Sequence, residues 1–349
     1  MSTQQALIVT SLGQPITSTT TRPIPQPGPN QVQLRVTVAG LNPHDQKARD
    51  GGLFIKDALP AILANDVAGV VTALGPNATK FNVGDRVFSY AAMTPDHAQK
   101  GLQQYALVDE DFTAKVPEGF TEHDVTTLPV NIIAGSVGLF HESGLGIPAP
   151  WSEESKTFDY AGTQILIIGG GSNCGRLAVQ LAKLAGIEKI VVVGGKQDEL
   201  KKFGATHVLD RHGGDEIVLE RIREVVGDDL LYCYDAVNPP ESQFLGINAL
   251  SNTKKGKLAR LVFYRHSDTF KVVGKKAGYE VKDVFGSPHL RPELSRSFWK
   301  RIEEYLIQGN IVPTRYVVEQ GLDAAKVNEV LDRYRDGKPV TQTHFRISD

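Results

Sequence analysis

The chain has 349 residues, of which 41% are hydrophobic and 22% charged, and its formal net charge is −2. This length favours two domains, and the near-neutral charge gives no reason to expect a nucleic acid or an anionic membrane as partner. The two cysteines, Cys174 and Cys233, are too few for a disulfide framework or a thiolate zinc site. No apolar stretch approaches the ~18 residues of a membrane span, and the first residues lack the pattern of a secretory signal. We therefore expect a cytoplasmic protein.

The first 130 residues favour short β-strands separated by turns. Residues 31–38 alternate between apolar and polar side chains, which is typical of a half-buried strand. Residues 67–75 form a second predicted strand, and residues 84–87 read as a turn that leads into a third. Strands at this spacing indicate a barrel or a sandwich.

A glycine-rich turn between an apolar strand and a helix is the most informative motif. Residues 165–169 are the predicted strand, and a helix over 174–185 opens on the turn. Glycines let backbone N–H groups approach a pyrophosphate, and the helix N-terminus favours its negative charge. The predicted contacts are Gly170, Gly171, Ser172, Asn173, Cys174 and Gly175.

Strands and helices alternate after this turn, which indicates a parallel sheet covered by helices on both faces. The predicted strands are 189–193, 207–209, 230–235 and 257–263, and the predicted helices between them are 198–203 and 214–226. Before the turn, residues 123–138 read as helix and residues 143–158 as a surface loop. After Phe298 we predict a helix, a strand near 311–318, a helix over 324–334 and a strand over 343–347.

Six segments in one order carry a family resemblance: residues 39–45, 66–75, 81–87, the glycine turn with 180–183, 203–205 and 321–322. With them the chain resembles the medium-chain dehydrogenase/reductase superfamily, in its zinc-independent quinone oxidoreductase and enoyl reductase branch of fungal type. The resemblance implies an α/β fold in which a doubly wound parallel Rossmann sheet is inserted in a GroES-like β-barrel catalytic domain. The implied domains are 1–130 with 298–349 for catalysis and 131–297 for nucleotide binding.

Zinc-dependent members of this superfamily carry cysteine and a His-Glu pair where this chain has Asn42 and Asn65-Asp66. The remaining candidates, His44 and His97, read as loop histidines, so we expect no metal. Without a metal, hydrogen-bond donors have to stabilise the developing oxyanion. Enones and quinones suit such a site.

The nicotinamide is predicted to be NADPH. The strand over 189–193 ends in Gly194-Gly195-Lys196, without the acid that binds the ribose 2′-OH in NAD enzymes. Lys196 can bind a 2′-phosphate instead, although Asp198 lies close by in sequence. The resemblance adds Lys183 as a phosphate contact, and by position alone it places Phe263 and Phe285 beside the nicotinamide. Arg211 stands where the family often has a tyrosine and is a further candidate for the phosphate. The predicted cofactor contacts of this region are Lys183, Gly195, Lys196, Arg211, Phe263 and Phe285.

The loop from Asn42 to Lys47 carries the predicted catalytic groups. The resemblance places Asn42 near the nicotinamide ribose or the substrate, and it gives Asp45 a structural role. His44 and Lys47 are candidates for proton donation or enolate stabilisation. The leading hypothesis is an NADPH-dependent reductase of activated C=C bonds or quinones, as homodimer or monomer. A zinc-independent aldehyde reductase or alcohol dehydrogenase and a non-catalytic NADPH-binding protein of crystallin or sensor type remain open.

Overall fold

The computed structural model describes residues 2–238, 243–261 and 271–348, so Phe263 lies outside the described residues. The chain separates into two units, each built from more than one segment. Unit 1 contains Met1–Val130, Trp299–Ile307 and Pro313–Asp349, and unit 2 contains Asn131–Phe298 and Gln308–Val312. No helix within the described ranges has both the length and the apolar character needed to cross a bilayer.

Unit 1 is mainly β structure. Its strands are β1 (Thr3–Ile8), β2 (Thr17–Pro23), β3 (Gln31–Gly40), β4 (Asp66–Leu74), β5 (Arg86–Tyr90), β6 (Tyr105–Asp109), β7 (Thr113–Lys115), β14 (Tyr316–Gln320) and β15 (Gln342–Arg346). Its helices are α1 (Pro43–Gly51), α2 (Glu122–Thr126), α9 (Ile302–Ile307) and α10 (Ala324–Arg335). The main sheet runs β14-β15-β3-β4-β5-β7, with β6 also paired to β3, while β1 and β2 pair with each other. Strand β15 therefore lies between β14, which is close to it in sequence, and β3, which is about 300 residues earlier in the chain.

Helix α1 follows β3 directly and is held against α10. Arg49 on α1 is 3% exposed and contacts the Asp332 carboxylate of α10, with 2.7 Å between Nη2 and Oδ1. A second anchor joins α10 to the chain before β2, because the Asn328 side chain accepts from the Ile16 N–H and donates to the Ile16 carbonyl. These contacts fix the helix that carries the predicted catalytic loop.

Unit 2 is a six-stranded parallel sheet with helices between its strands. Its strands are β8 (Gln164–Ile168), β9 (Lys189–Val193), β10 (His207–Leu209), β11 (Tyr232–Asp235), β12 (Gly256–Arg260) and β13 (Tyr279–Asp283). Its helices are α3 (Pro129–Phe140, whose first two residues belong to unit 1), α4 (Asn173–Ala185), α5 (Gln197–Phe203), α6 (Asp215–Val226), α7 (Phe244–Ala249) and α8 (Pro292–Trp299, whose last residue belongs to unit 1).

The strand order β10-β9-β8-β11-β12-β13 is the doubly wound nucleotide-binding order, which runs outward in both directions from the first strand of the unit. The apolar residues of β8, from Ile165 to Ile168, are all buried, as expected for a central strand with both faces covered. The predicted fold class is confirmed.

Two predicted elements have different bounds. The helix predicted over 123–138 is two helices, α2 and α3, because Pro129 has no N–H to continue the first of them. The strand predicted near 311–318 begins only at Tyr316. Val312 instead exchanges two hydrogen bonds with the Gln180 side chain of α4, which holds residues 308–312 in unit 2.

The segment over 143–158 packs into unit 2, so the expectation of a surface loop is wrong. Leu145 and Ile147 are fully buried. The Trp151 ring lies 5.5 Å from the ring of Phe140 on α3 and 5.5 Å from that of Phe298 on α8. The apolar residues of this segment therefore contribute to the core between two helices of unit 2.

Candidate functional site

The glycine turn of unit 2 is shaped by very close backbone contacts. A Cβ atom on Gly175 would lie 2.3 Å from the Gly169 carbonyl oxygen, and one on Gly170 would lie 2.3 Å from the Val192 side chain. Gly169 itself has φ +85°, which favours glycine. Only glycine fits at these positions, and the turn consequently lies tight against the start of α4.

Ser172 is the N-cap of α4. Its Oγ accepts a hydrogen bond from the Gly175 N–H at 3.0 Å and donates one to the Gly169 carbonyl at 2.8 Å. This cap aligns the first turn of a 13-residue helix, whose remaining N–H groups and positive end can hold a pyrophosphate. The turn therefore fits the nucleotide that the sequence predicts.

The end of β9 meets the same turn. Gly195 has φ +93°, and a Cβ there would lie 2.9 Å from the backbone of Gly170 and Gly171. The aliphatic part of Arg211 lies beside Gly194, where an added Cβ would contact its Cδ at 3.3 Å. Lys196 is exposed and begins α5. The structure thus places Gly195, Lys196 and Arg211 together at this strand end.

The predicted contact Lys183 lies farther along α4. It is exposed, and its carbon chain covers Gly204, where an added Cβ would meet its Cδ at 2.6 Å. An ion pair between α4 and α5 was not foreseen from the sequence. Arg176 of α4 donates to the Gly171 carbonyl at 2.6 Å and contacts Glu199 of α5 at 3.2 Å. This pair neutralises an acid close to the end of β9.

Helix α3 brings two other predicted contacts close to one another. The Cys174 thiol donates to the Asn131 Oδ1 at 3.2 Å, and the thiol residue is half-buried rather than buried. One turn later, Ala134 lies against Gly286, where a Cβ would be 2.6 Å from the Ala134 Cα. This contact holds the half-buried Phe285 beside α3. Residues three apart share one face of a helix, so Cys174 and Gly286, the residue after Phe285, contact the same face of α3.

In unit 1, Asp45 holds the predicted catalytic loop. Its Oδ2 accepts from the Asn42 N–H at 2.8 Å, and its Oδ1 accepts from the Ala64 N–H at 3.0 Å. The carboxylate is 1% exposed. Its structural role is confirmed, because it ties the start of α1 to the segment before β4.

Asp66, at the start of β4, is the most perturbed acid of this cluster. Its carboxylate is fully buried and accepts from the Asn42 amide at 2.6 Å, the Gln342 amide at 3.0 Å and the Val130 N–H at 2.7 Å. Burial raises the pKa of Asp66 to about 7 although these hydrogen bonds favour its charged form. The Asn42 side chain is therefore oriented by a buried carboxyl group. Neither Gln342 nor Val130 was foreseen from the sequence, because both are distant along the chain.

His44 and Lys47 lie on α1 beside this network. The His44 Nε2 lies 3.1 Å from the Asn65 Oδ1, and the Asn65 amide donates to the Ala91 carbonyl at 2.6 Å. Lys47 is half-buried, and burial lowers its pKa from the ordinary value for lysine. The three residues predicted to be catalytic thus lie at the N-cap and in the first half of α1, although Asn42 is engaged by Asp66.

Within the described ranges, no three His, Cys, Asp or Glu side chains form a group that can hold a metal ion. The histidines considered from the sequence have other contacts: His44 lies against Asn65, and the His97 Nε2 lies 2.6 Å from the Ala58 carbonyl.

Comparison with known proteins decides the family. The profile of the alcohol dehydrogenase GroES-like domain matches residues 28–118, and that of the zinc-binding dehydrogenase matches residues 174–273. Trans-enoyl reductase tazE of Aspergillus terreus is 31% identical over 62% of this chain and 70% of that protein. Dehydrogenase mokE of Monascus pilosus is 30% identical over 87% of this chain and 86% of that protein. The chain belongs to the medium-chain dehydrogenase/reductase superfamily.

Solved structures share the fold over almost the whole chain. A mycobacterial protein solved in complex with NADPH is 21% identical, with a TM-score of 0.73 over 98% of this chain and 99% of that one. At this identity the likeness shows the fold alone. The fungal sources of the sequence relatives agree with the branch that the sequence predicts.

Proposed function

We propose that the chain is an NADPH-dependent, metal-free oxidoreductase that transfers hydride to an activated C=C bond or a quinone. Membership of the superfamily supports an oxidoreductase, and a relative named trans-enoyl reductase supports reduction of a C=C bond. In this proposal unit 1 carries the catalytic groups and unit 2 the nucleotide.

The end of β9 is the observation that carries the choice of cofactor. Gly194 and Gly195 end the strand without the acid that binds the ribose 2′-OH in NAD enzymes, and Arg211 and Lys196 are the cations beside them. Arg176 neutralises the nearby acid Glu199. NADPH, when bound, supplies the hydride. The N-terminus of α4 holds its pyrophosphate, and Phe285 lies on its nicotinamide side.

The residues proposed on α1 stabilise the developing negative charge and donate a proton. Hydride addition to an enone places negative charge on an oxygen, which hydrogen-bond donors have to stabilise. Lys47 is suited to this role because burial lowers its pKa and thus makes its proton easier to release. His44 is oriented by Asn65 and is the second candidate donor. Asn42 positions the substrate or the ribose, since Asp66 fixes its amide.

The test of the function is NADPH oxidation with three acceptor classes: 2-alkenals, 1,2-quinones and saturated aldehydes. We expect turnover with the first two. Turnover with saturated aldehydes alone would replace the proposal by a metal-free aldehyde reductase. Tight NADPH binding without turnover of any acceptor would replace it by a nucleotide-sensing role.

Chelation tests the metal-free mechanism directly. After dialysis against EDTA we expect unchanged kcat and KM with the best acceptor, because donor side chains rather than a metal stabilise the oxyanion. The measurement is activity before and after dialysis, with the metal content determined in parallel. Loss of activity that zinc restores would contradict this mechanism.

Removing the lysine at the end of β9 tests the phosphate contact. We expect Lys196→Ala to raise the KM for NADPH by roughly tenfold, since a hydrogen bond to a charged group contributes about 1.5–3 kcal/mol. The KM for NADH should stay within twofold. Lys202→Ala is the matched control, because Lys202 is an exposed lysine of the same helix. Equal effects on both cofactors would remove Lys196 from the phosphate site.

A further inference from the structure

Lys100 is an almost fully enclosed lysine between β5 and β6 of unit 1. It is 4% exposed, and within the described ranges no group accepts a hydrogen bond from its ammonium. Lys80 shows the ordinary alternative in the same unit, because its ammonium donates to the carbonyls of Glu110 and Thr113. Buried lysines are generally paired, so Lys100 is an exception that calls for a ligand.

Backbone contacts fix Lys100 in place. Its N–H donates to the His97 carbonyl at 3.2 Å, and its carbonyl accepts from the Gln103 side chain at 2.8 Å. The following residue, Gly101, donates to the Ala64 carbonyl at 2.9 Å. An added Cβ on Gly101 would lie 2.9 Å from Ala39, so this segment is closely packed. A simple shift of the backbone toward solvent would break these contacts.

The same contacts bring Lys100 to the catalytic loop. Ala64, which accepts from Gly101, donates its own N–H to Asp45. Asp45 immediately follows His44, and its charge is the one that favours the charged form of Lys100. Lys100 therefore belongs to the neighbourhood of α1.

The surrounding charges leave the ammonium incompletely compensated. Both Asp45 oxygens already accept from backbone N–H groups, so Asp45 acts on Lys100 through its charge alone. Burial lowers the pKa of Lys100 to about 8, which keeps the group mainly protonated at neutral pH. The neighbouring His97 also has Arg22 and the acid Asp96 close by, but the carboxylate whose charge acts on Lys100 is that of Asp45. A largely buried cation in this environment is stabilised when an anion replaces the solvation that it has lost.

We propose that Lys100 binds an anionic oxygen of the substrate, and that the preferred substrate carries an ionised carboxylate beside its activated C=C bond. The reaction itself rests on the function proposed above. The binding contact does not, because it requires only the enclosed ammonium and a carboxylate.

A pair of acceptors with the same carbon skeleton, one charged and one neutral, tests this contact. They are a 4-oxo-2-alkenoic acid and its methyl ester. The ester group withdraws electrons from the C=C bond more strongly than the ionised carboxylate, so the ester is intrinsically the more reactive acceptor and a preference for the acid has to come from binding. We expect the protein to prefer the acid by about tenfold in kcat/KM, the equivalent of 1.4 kcal/mol. Lys100→Met should abolish the preference by raising KM for the acid alone, and Lys100→Arg should restore part of it. Lys56→Met, at an exposed lysine after α1, should leave the preference unchanged.

Two outcomes would overturn the inference: no acid preference in the parent protein, or an equal loss for acid and ester in Lys100→Met. Calorimetric binding of the saturated 4-oxo acid and its ester separates this inference from the reaction. Lysine-dependent binding of the saturated acid without reduction of any acceptor would reject the proposed function and keep the contact. Thermal melting shows whether either variant, Lys100→Met or Lys100→Arg, has a folding defect. If Lys100→Met has one, the acid preference measured with Lys100→Arg decides the inference.

Discussion

Gly175→Ala should destabilise unit 2 by about 2 kcal/mol, the usual cost of overpacking a tight site. The new methyl carbon would lie 2.3 Å from the Gly169 carbonyl oxygen, and a backbone atom cannot move aside as a flexible side chain can. The start of α4 has to shift away from the turn. NADPH affinity should therefore fall at least tenfold, because the N–H groups that would hold the pyrophosphate move with the helix. Chemical unfolding and NADPH titration measure the two effects.

Gly171→Ala is the matched control in the same turn. A Cβ at Gly171 would meet its nearest atom, the Gly195 Cα, at 3.4 Å, which is an ordinary contact. We expect its free energy of unfolding to stay within about 0.5 kcal/mol of the parent. Equal destabilisation by both substitutions would show that the Gly169–Gly175 approach is not what requires glycine.

Stability of unit 1 should depend on pH through His344 of β15. The ring is fully buried, neither of its nitrogens has a hydrogen-bond partner in the described chain, and burial lowers its pKa to about 3. An imidazole in the unfolded chain titrates near about 6.5. As the pH falls, the unfolded state takes up the proton first. The stability contributed by the neutral His344 ring is therefore present above pH 6.5 and is lost as the pH falls towards 3. At pH 4 this loss is about 3 kcal/mol.

Replacing the ring isolates this effect. Between pH 7 and pH 4, the free energy of unfolding should fall by about 3 kcal/mol less in His344→Leu than in the parent. The difference between the two proteins is the informative quantity, because Asp66 acts in the opposite direction in both of them. Its raised pKa means that stability is lost as the pH rises from about 4 to about 7.

The two tryptophans allow unit 1 to be followed alone. Trp299 belongs to unit 1 and is buried against Phe88, whereas Trp151 belongs to unit 2. In a Trp151→Phe background, Trp299 fluorescence during denaturant unfolding reports unit 1 alone. A separate signal is needed because a protein of two units need not unfold in one step. His207→Leu, at an exposed histidine of β10, is the control. A parallel pH dependence in His344→Leu and the parent would reject the assignment.

Local patterns predicted the nucleotide unit well. The alternation of apolar strands and helices is a short-range signal, and the glycine turn is required by contacts between residues only a few positions apart. Asp45 was also predictable, because a side chain that caps the residue three positions before it acts within its own loop. Such features depend on few residues and little tertiary structure.

Long-range partners were not predictable from one sequence. Gln342 reaches Asp66 across 276 positions, and Arg176 reaches Glu199 across 23. The residues next to Lys100 in sequence do not distinguish it from an exposed lysine, because its burial results from contacts with segments that are distant along the chain. Residue type and periodicity do not encode which side chain the fold encloses.

The position of β15 has a consequence for synthesis of the protein. Its residue His344 pairs with Gly40 of β3, so residues 38–40 at the end of β3 have no partner on this edge until about 300 further residues have been made, whereas β6 pairs with residues 31–35 much earlier. At translation rates of about 5–20 residues per second, this edge waits roughly 15–60 s. Unit 2 lies almost wholly within that interval and can complete its own sheet first. The nascent chain therefore exposes the hydrogen-bonding groups of residues 38–40 of β3 to other chains during that time, and chaperone dependence should concentrate there.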